Sequence, residues 1–108
     1  MKLDTLDKYT RGWIVGNFSP SIIKTDNYEI GIKYYTKDDY EKSHKHLKSS
    51  EITIVVFGHV QVNKKDYYEK DIIIQEIGDS ADFKCMSDRA IVTVLRPDGS
   101  FPNDKYYD

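Results

Sequence analysis

The sequence predicts an all-β fold, and three observations predict it. Ile, Val, Tyr, Phe and Thr dominate the apolar segments, with nine tyrosines in 108 residues. Such β-branched and aromatic side chains suit a pleated, half-buried surface. No long segment carries a clear 3.6-residue period. Short apolar runs recur at regular spacing between turn-forming residues, the pattern of a sandwich or closed barrel.

Taken in order, residues 2–9 allow one short helical turn. Residues 12–16 (GWIVG) read as a strand between glycines. Residues 27–36 (NYEIGIKYYT) alternate. Tyr28, Ile30, Ile32 and Tyr34 share one face, and Glu29, Gly31, Lys33 and Tyr35 share the other. A polar link, KDDYEK, leads to a histidine pair. Glu51 to Phe57 is a strong strand, interrupted by Gly58 and continued from His59 to Asn63. NKKD is a turn candidate, although it lacks the Asn-Gly of an ideal tight hairpin. Asp71–Ile77, Phe83–Met86 and Ala90–Leu95 read as further strands, separated by the turns GDSAD and SDR. RPDGSFPND is a tail punctuated by proline and glycine, and DKYYD is a solvated end that packs its tyrosines.

Composition narrows the function classes. Hydrophobic content is 39%, charged content 31% and the net charge −2, with both signs interspersed. The chain has room for one domain and one core. No basic stripe is built, so nucleic acid is not an expected partner. No apolar run approaches the roughly 20 residues of a membrane span. The first ten residues carry acids and no apolar core, unlike a signal peptide. The single cysteine, Cys85, cannot form an internal disulfide. A cytoplasmic protein is the expectation.

The stretch SHKHLKSSEITIVVFG, residues 43–58, carries the chemistry. On a strand, side chains alternate faces with period two, so His44 and His46 point the same way. Glu51 opens the following strand and shares a face with Thr53, Val55 and Phe57. A barrel could bring two imidazoles and one carboxylate together. That set leaves positions open for water or substrate and suits Fe, Mn, Ni or Zn as a divalent ion.

The spacing H-x-H, four residues, E, six residues, G (His44, His46, Glu51, Gly58) resembles the first motif of the cupin superfamily. The stretch from Asp71 to Val94 resembles the second, and together they cover roughly residues 27–96. The resemblance implies a double-stranded β-helix, or jelly-roll barrel, as a single cupin domain over 1–108. The N-terminal strand and C-terminal tail lie outside its core. It also implies a homodimer paired through outer sheets, for which Trp13 is a candidate barrel or interface anchor. Departures accompany the match. Asp38 and Lys70 stand where glycines are usual, and the turn proline of the second motif is missing. The third histidine ligand is also absent, and aligning Gly78 with the turn glycine puts Asp82 in its place. Three versions of the site follow: a two-histidine, two-carboxylate centre with Asp82; His44, His46 and Glu51 alone; or a relic with little affinity for metal.

Three functions remain open. The first is a small metal-binding cupin acting on an unknown small molecule as an oxygenase or isomerase. The second is a metal-free sugar or nucleotide-sugar isomerase or epimerase, with His44 or His46 as base and Tyr35 as acid. Lys33 shares the face of Tyr35 and could line the same cavity. The third is a non-catalytic small-molecule-binding module. His59 reads as a rim or surface histidine without a spaced partner. Cys85 reads as a small buried strand residue. The glycines have no phosphate-loop spacing.

Overall fold

The computed structural model describes residues 1–108. Eleven strands form: β1 Trp13–Gly16, β2 Ile23–Lys24, β3 Glu29–Thr36, β4 Tyr40–Lys45, β5 Glu51–Phe57, β6 His59–Val62, β7 Lys65–Tyr68, β8 Ile72–Gln75, β9 Ala81–Cys85, β10 Arg89–Arg96 and β11 Tyr106–Tyr107. Two short 3-10 turns, Leu6–Lys8 and Thr10–Gly12, precede them. The strands make a six-stranded sheet, β2-β1-β3-β10-β5-β8, and a five-stranded sheet, β11-β4-β9-β6-β7. This is a double-sheet jelly roll in which neither sheet closes on itself. No helix is long and apolar enough to cross a membrane.

The core lies between the sheets. Val55, Ala90, Val92 and Val94 come from the larger sheet, and Val60 and Cys85 from the smaller. Cys85 is fully buried, as its strand position predicts. The chain passes from one sheet to the other between β5 and β6, at Gly58. Its φ of +90° suits glycine, and a Cβ there would lie 2.3 Å from the Arg89 carbonyl oxygen. Only glycine makes that bend without strain.

Some boundaries differ from the sequence expectation. The NKKD segment does form a tight turn. Val62 pairs with Lys65, and Asn63 and Lys64 both take positive φ, 51° and 66°. Asparagine tolerates that conformation, and the hairpin it closes creates β7, which the residue pattern alone left as turn. The strand β9 begins two residues earlier than expected. The tail end is exposed, as expected, but it is also ordered as a strand. Tyr106 pairs with Lys45 and Tyr107 with His44, adding an edge strand beside β4.

Candidate metal centre

Each of the three central side chains has a local reason for its position. In β4 the register against β9 shifts between Glu41 and His44. Such a bulge re-aims side chains, and both Glu41 and His44 line the same cavity despite their odd spacing. His46 follows the last residue of β4 and is 1% exposed. Residues 47–50 then cross to the other sheet, where Glu51 heads β5. Two aspartates of the C-terminal tail hold this crossing. The Asp104 carboxylate accepts the backbone N–H groups of Leu47, Lys48 and Ser49 at 2.8, 2.9 and 3.1 Å. Asp98 accepts the N–H and hydroxyl of Ser50 at 2.9 and 2.6 Å.

The crossing brings His44, His46 and Glu51 together, with one ligand-type atom from each lying within 4.8 Å of the others. The imidazoles meet edge to face, 5.2 Å between centroids. His44 Nδ1 donates to the Lys42 carbonyl at 2.9 Å, and His46 Nδ1 donates to the Asp104 carbonyl. A carbonyl only accepts, so each Nδ1 bears the proton. In the neutral rings the lone pairs are therefore on Nε2. Backbone carbonyls fix histidine tautomers in this way in metal sites generally. Glu51 is 3.6 Å from His46 Nε2. Burial pushes the Glu51 carboxyl up, but His46, when its ring is protonated, and the charge of Arg96 outweigh it and hold the group below the usual range. The donor set fits a divalent ion: two imidazoles and one carboxylate, all oriented before any ion arrives.

Asp82 does not join them. Its Oδ1 accepts the Asn63 backbone N–H at 2.6 Å, and its Oδ2 takes the Tyr40 hydroxyl at 3.4 Å. The residue opposite His44 on β9 is Ala81, which is buried and lines the cavity. Asp82 also lines the cavity between Ala81 and Phe83, but its carboxylate is engaged by Asn63 and Tyr40 and is not among the grouped ligand atoms. The fourth-ligand assignment on Asp82 is thereby corrected: the grouped ligand atoms come from His44, His46 and Glu51 alone.

The cavity beside the triad measures about 350 Å³. Lys33 and Tyr35 line it, as their shared face predicts. Lys33 Nζ donates to the Arg11 carbonyl at 2.7 Å and lies 4.3 Å from the centre of the Trp13 ring. Burial lowers its pKa to about 8. The Tyr35 hydroxyl reaches Glu41 at 3.5 Å, and its ring packs on Phe83. Burial raises the Tyr35 pKa well above the ordinary phenol range, so the hydroxyl keeps its proton. Trp13 sits against Gly31, where a Cβ would meet its ring at 2.7 Å, and helps wall the cavity. Two residues to which the sequence assigns no role, Arg96 and Asp104, also meet here, together with Glu29 from the face of Lys33 and Tyr35. Arg96, Glu29 and Asp104 are largely buried and contact the histidines or each other's partners. His59 stays apart, stacked on Tyr68 and bonded to Asp66 at 2.8 Å.

No family model matches the sequence, and no curated protein is detectably similar to it. Solved structures are. The DMSP lyase DddQ of Ruegeria pomeroyi DSS-3 superposes with a TM-score of 0.71 at 14% identity, covering 88% of this chain and 49% of that one. A cupin-2 domain protein of Shewanella frigidimarina gives 0.57 at 14% identity, covering 70% and 76%. The fold is that of the cupins. Bacillus subtilis oxalate decarboxylase, with its Mn(II) centres, shares this cupin fold at a TM-score of 0.66 and 20% identity, over 76% of this chain and 24% of that one. The chain spans about half the length of the DMSP lyases it resembles. Against the cupin pattern, His44, His46 and Glu51 converge as the motif implies.

Proposed function

We propose that this cupin-fold protein binds a divalent metal ion through His44, His46 and Glu51 and uses it on a small molecule, as an oxygenase or isomerase. The convergence of two carbonyl-anchored imidazoles on one ionised carboxylate carries this reading. Fe, Mn, Ni and Zn all accept such a donor set. The bound ion would supply Lewis-acid activation or an O2 site. This chain's own residues supply the rest. The wall mixes Arg11, Lys33 and Arg96 with Glu29, Glu41 and Glu51 beside the aromatic Trp13 and Phe83, which suits a small polar molecule. Lys33, with its pKa near 8, can take or give a proton close to neutral pH. Similar structures that include a DMSP lyase and an oxalate decarboxylase support small-molecule chemistry on this scaffold.

A metal-free reading, with His44 or His46 as base, has one observation in its favour: Arg96 already supplies positive charge beside His46 and Glu51. Tyr35 suits it less, because its hydroxyl is turned to Glu41. Elemental analysis of freshly purified, untagged protein separates the readings. The expected result is near-stoichiometric Fe, Mn, Ni or Zn in the parent, lost in a His44→Ala/His46→Ala variant. An empty parent that also ignores added metal rejects the metal reading.

A further inference from the structure

Arg96 ends β10, on the inward face that Val92 and Val94 also occupy. Its Nη2 donates to His46 Nε2 at 3.3 Å and lies 3.7 Å from Glu51 Oε1. Its Nη1 lies 3.4 Å from Glu29 Oε1. The His46 Nδ1 proton is committed to the Asp104 carbonyl, so the neutral ring has a single lone pair to offer, on Nε2. A metal ion at this centre needs that same lone pair and the same carboxylate. One lone pair serves one partner at a time.

We propose that Arg96 is a built-in competitor for the metal. Its guanidinium takes the cation's place at His46 and Glu51, and a divalent ion binds only by displacing it. The inference rests on the reading of His44, His46 and Glu51 as a metal centre and adds what controls its loading.

Three observations make the guanidinium displaceable rather than fixed. Its contacts with Glu29, Glu51 and His46 are all longer than the roughly 2.7–2.9 Å of a tight charge-assisted bond. Its Nε is buried without a partner, so the group is not locked by a full set of bonds. Glu29 can also retain it after it leaves His46. Glu29 pairs with Arg96 across β3 and β10, and its other oxygen accepts the Ser100 hydroxyl at 2.7 Å. Ser100 is in turn held by the Asn17 N–H at 2.7 Å. Meanwhile the guanidinium balances two buried carboxylates, which would otherwise be strongly destabilising without an ion. The chain can therefore fold before it is loaded.

Zinc titration against a chromophoric chelator tests this on the full chain. Arg96→Met is expected to bind Zn(II) at least about tenfold more tightly than the parent, the scale on which groups around a metal's ligands act. Arg11→Met removes a cavity cation that has no bond to His46. It is expected to change affinity by less than about threefold, the range of a screened charge effect. Nitrogen NMR of the parent gives a second readout that needs no variant. Zinc should shift the Arg96 guanidinium signals and the His46 Nε2 signal together. Equal affinities for parent and Arg96→Met, or Arg96 signals unmoved by bound zinc, overturn the competition while leaving the metal centre standing. An Arg11→Met gain as large as that of Arg96→Met overturns it too, because charge alone would then account for the effect. If neither parent nor Arg96→Met binds zinc, the metal reading and the competition fall together.

Discussion

At the scale of single residues, Lys33 has an unusual environment. Burial under Trp13 brings its pKa down to about 8, because a charged ammonium loses hydration there. The sign of the consequence follows from proton counting. Between about pH 8 and the ordinary lysine range the unfolded chain holds the proton more tightly than the folded one. Stability contributed by this group therefore rises with pH across that window, and the cost of the buried charge is fully present below it. An NMR titration of the lysine side chains should give Lys33 a midpoint near 8. A midpoint among the other lysines contradicts the burial argument. Ala81 is the second informative residue. It lies opposite His44 and lines the cavity, so Ala81→His should add a third imidazole and tighten zinc binding by about 10–100-fold, read by calorimetry. No gain would mean that a side chain at 81 does not reach the centre.

At the scale of elements, the C-terminal tail is what holds the histidine loop. Asp104 is 2% exposed, and its carboxylate serves three consecutive N–H groups of the β4–β5 crossing. Asp104→Ala strands those donors and is expected to lower unfolding stability by about 2–4 kcal/mol in urea denaturation. The backbone carbonyl that orients His46 survives this substitution. Removing residues 103–108 takes the carbonyl away too, and with it the β11 pairing beside His44. The shortened chain should therefore lose metal affinity as well as stability. Unchanged stability in Asp104→Ala would show that the loop holds itself.

At the scale of the whole molecule, the outer face of the six-stranded sheet stands out. Ile30, Leu95, Ile52 and Ile74 lie in one row across β3, β10, β5 and β8. Ile32, Thr93, Ile54 and Ile72 form the next, and Tyr34, Ile91 and Phe57 a third. Tyr34, Ile72 and Ile74 are 67%, 59% and 64% exposed. Contiguous apolar patches of this kind mark association surfaces. The buried apolar residues, by contrast, are mostly valine, alanine and cysteine, a modest core for a chain of this length. We propose that two copies pair through this face as a homodimer. Ile72→Lys/Ile74→Lys alters residues that are exposed in one copy, so folding should be preserved while the dimer dissociates. Sedimentation equilibrium measures this, and a parent that is monomeric at high concentration rejects the pairing.

The sequence by itself determined the longer strands (though not β7 or β11), the shared face of Lys33 and Tyr35, and the grouping of His44, His46 and Glu51. These are local matters, set by period two and by spacing within one short segment. Arg96 was also within reach of that rule, since it continues the inward face of Val92 and Val94. Its neighbour Pro97 drew it into the tail instead. Asp82 lines the cavity, but its carboxylate is bound to Asn63 and Tyr40, and an alignment on Gly78 cannot show those partners. Neither a role for Asp104 nor the pairing of Glu29 with Ser100 had a local signal, although Glu29 shares the face of Lys33 and Tyr35. Their roles depend on chain segments 58 and 71 residues away, at His46 and Ser100. Only the tertiary structure decided those contacts, and with them the placement of the Arg96 guanidinium against His46 and Glu51. Hydrogen bonds and ion pairs across such separations follow from how the two sheets close on each other, and no local pattern in the sequence encodes that.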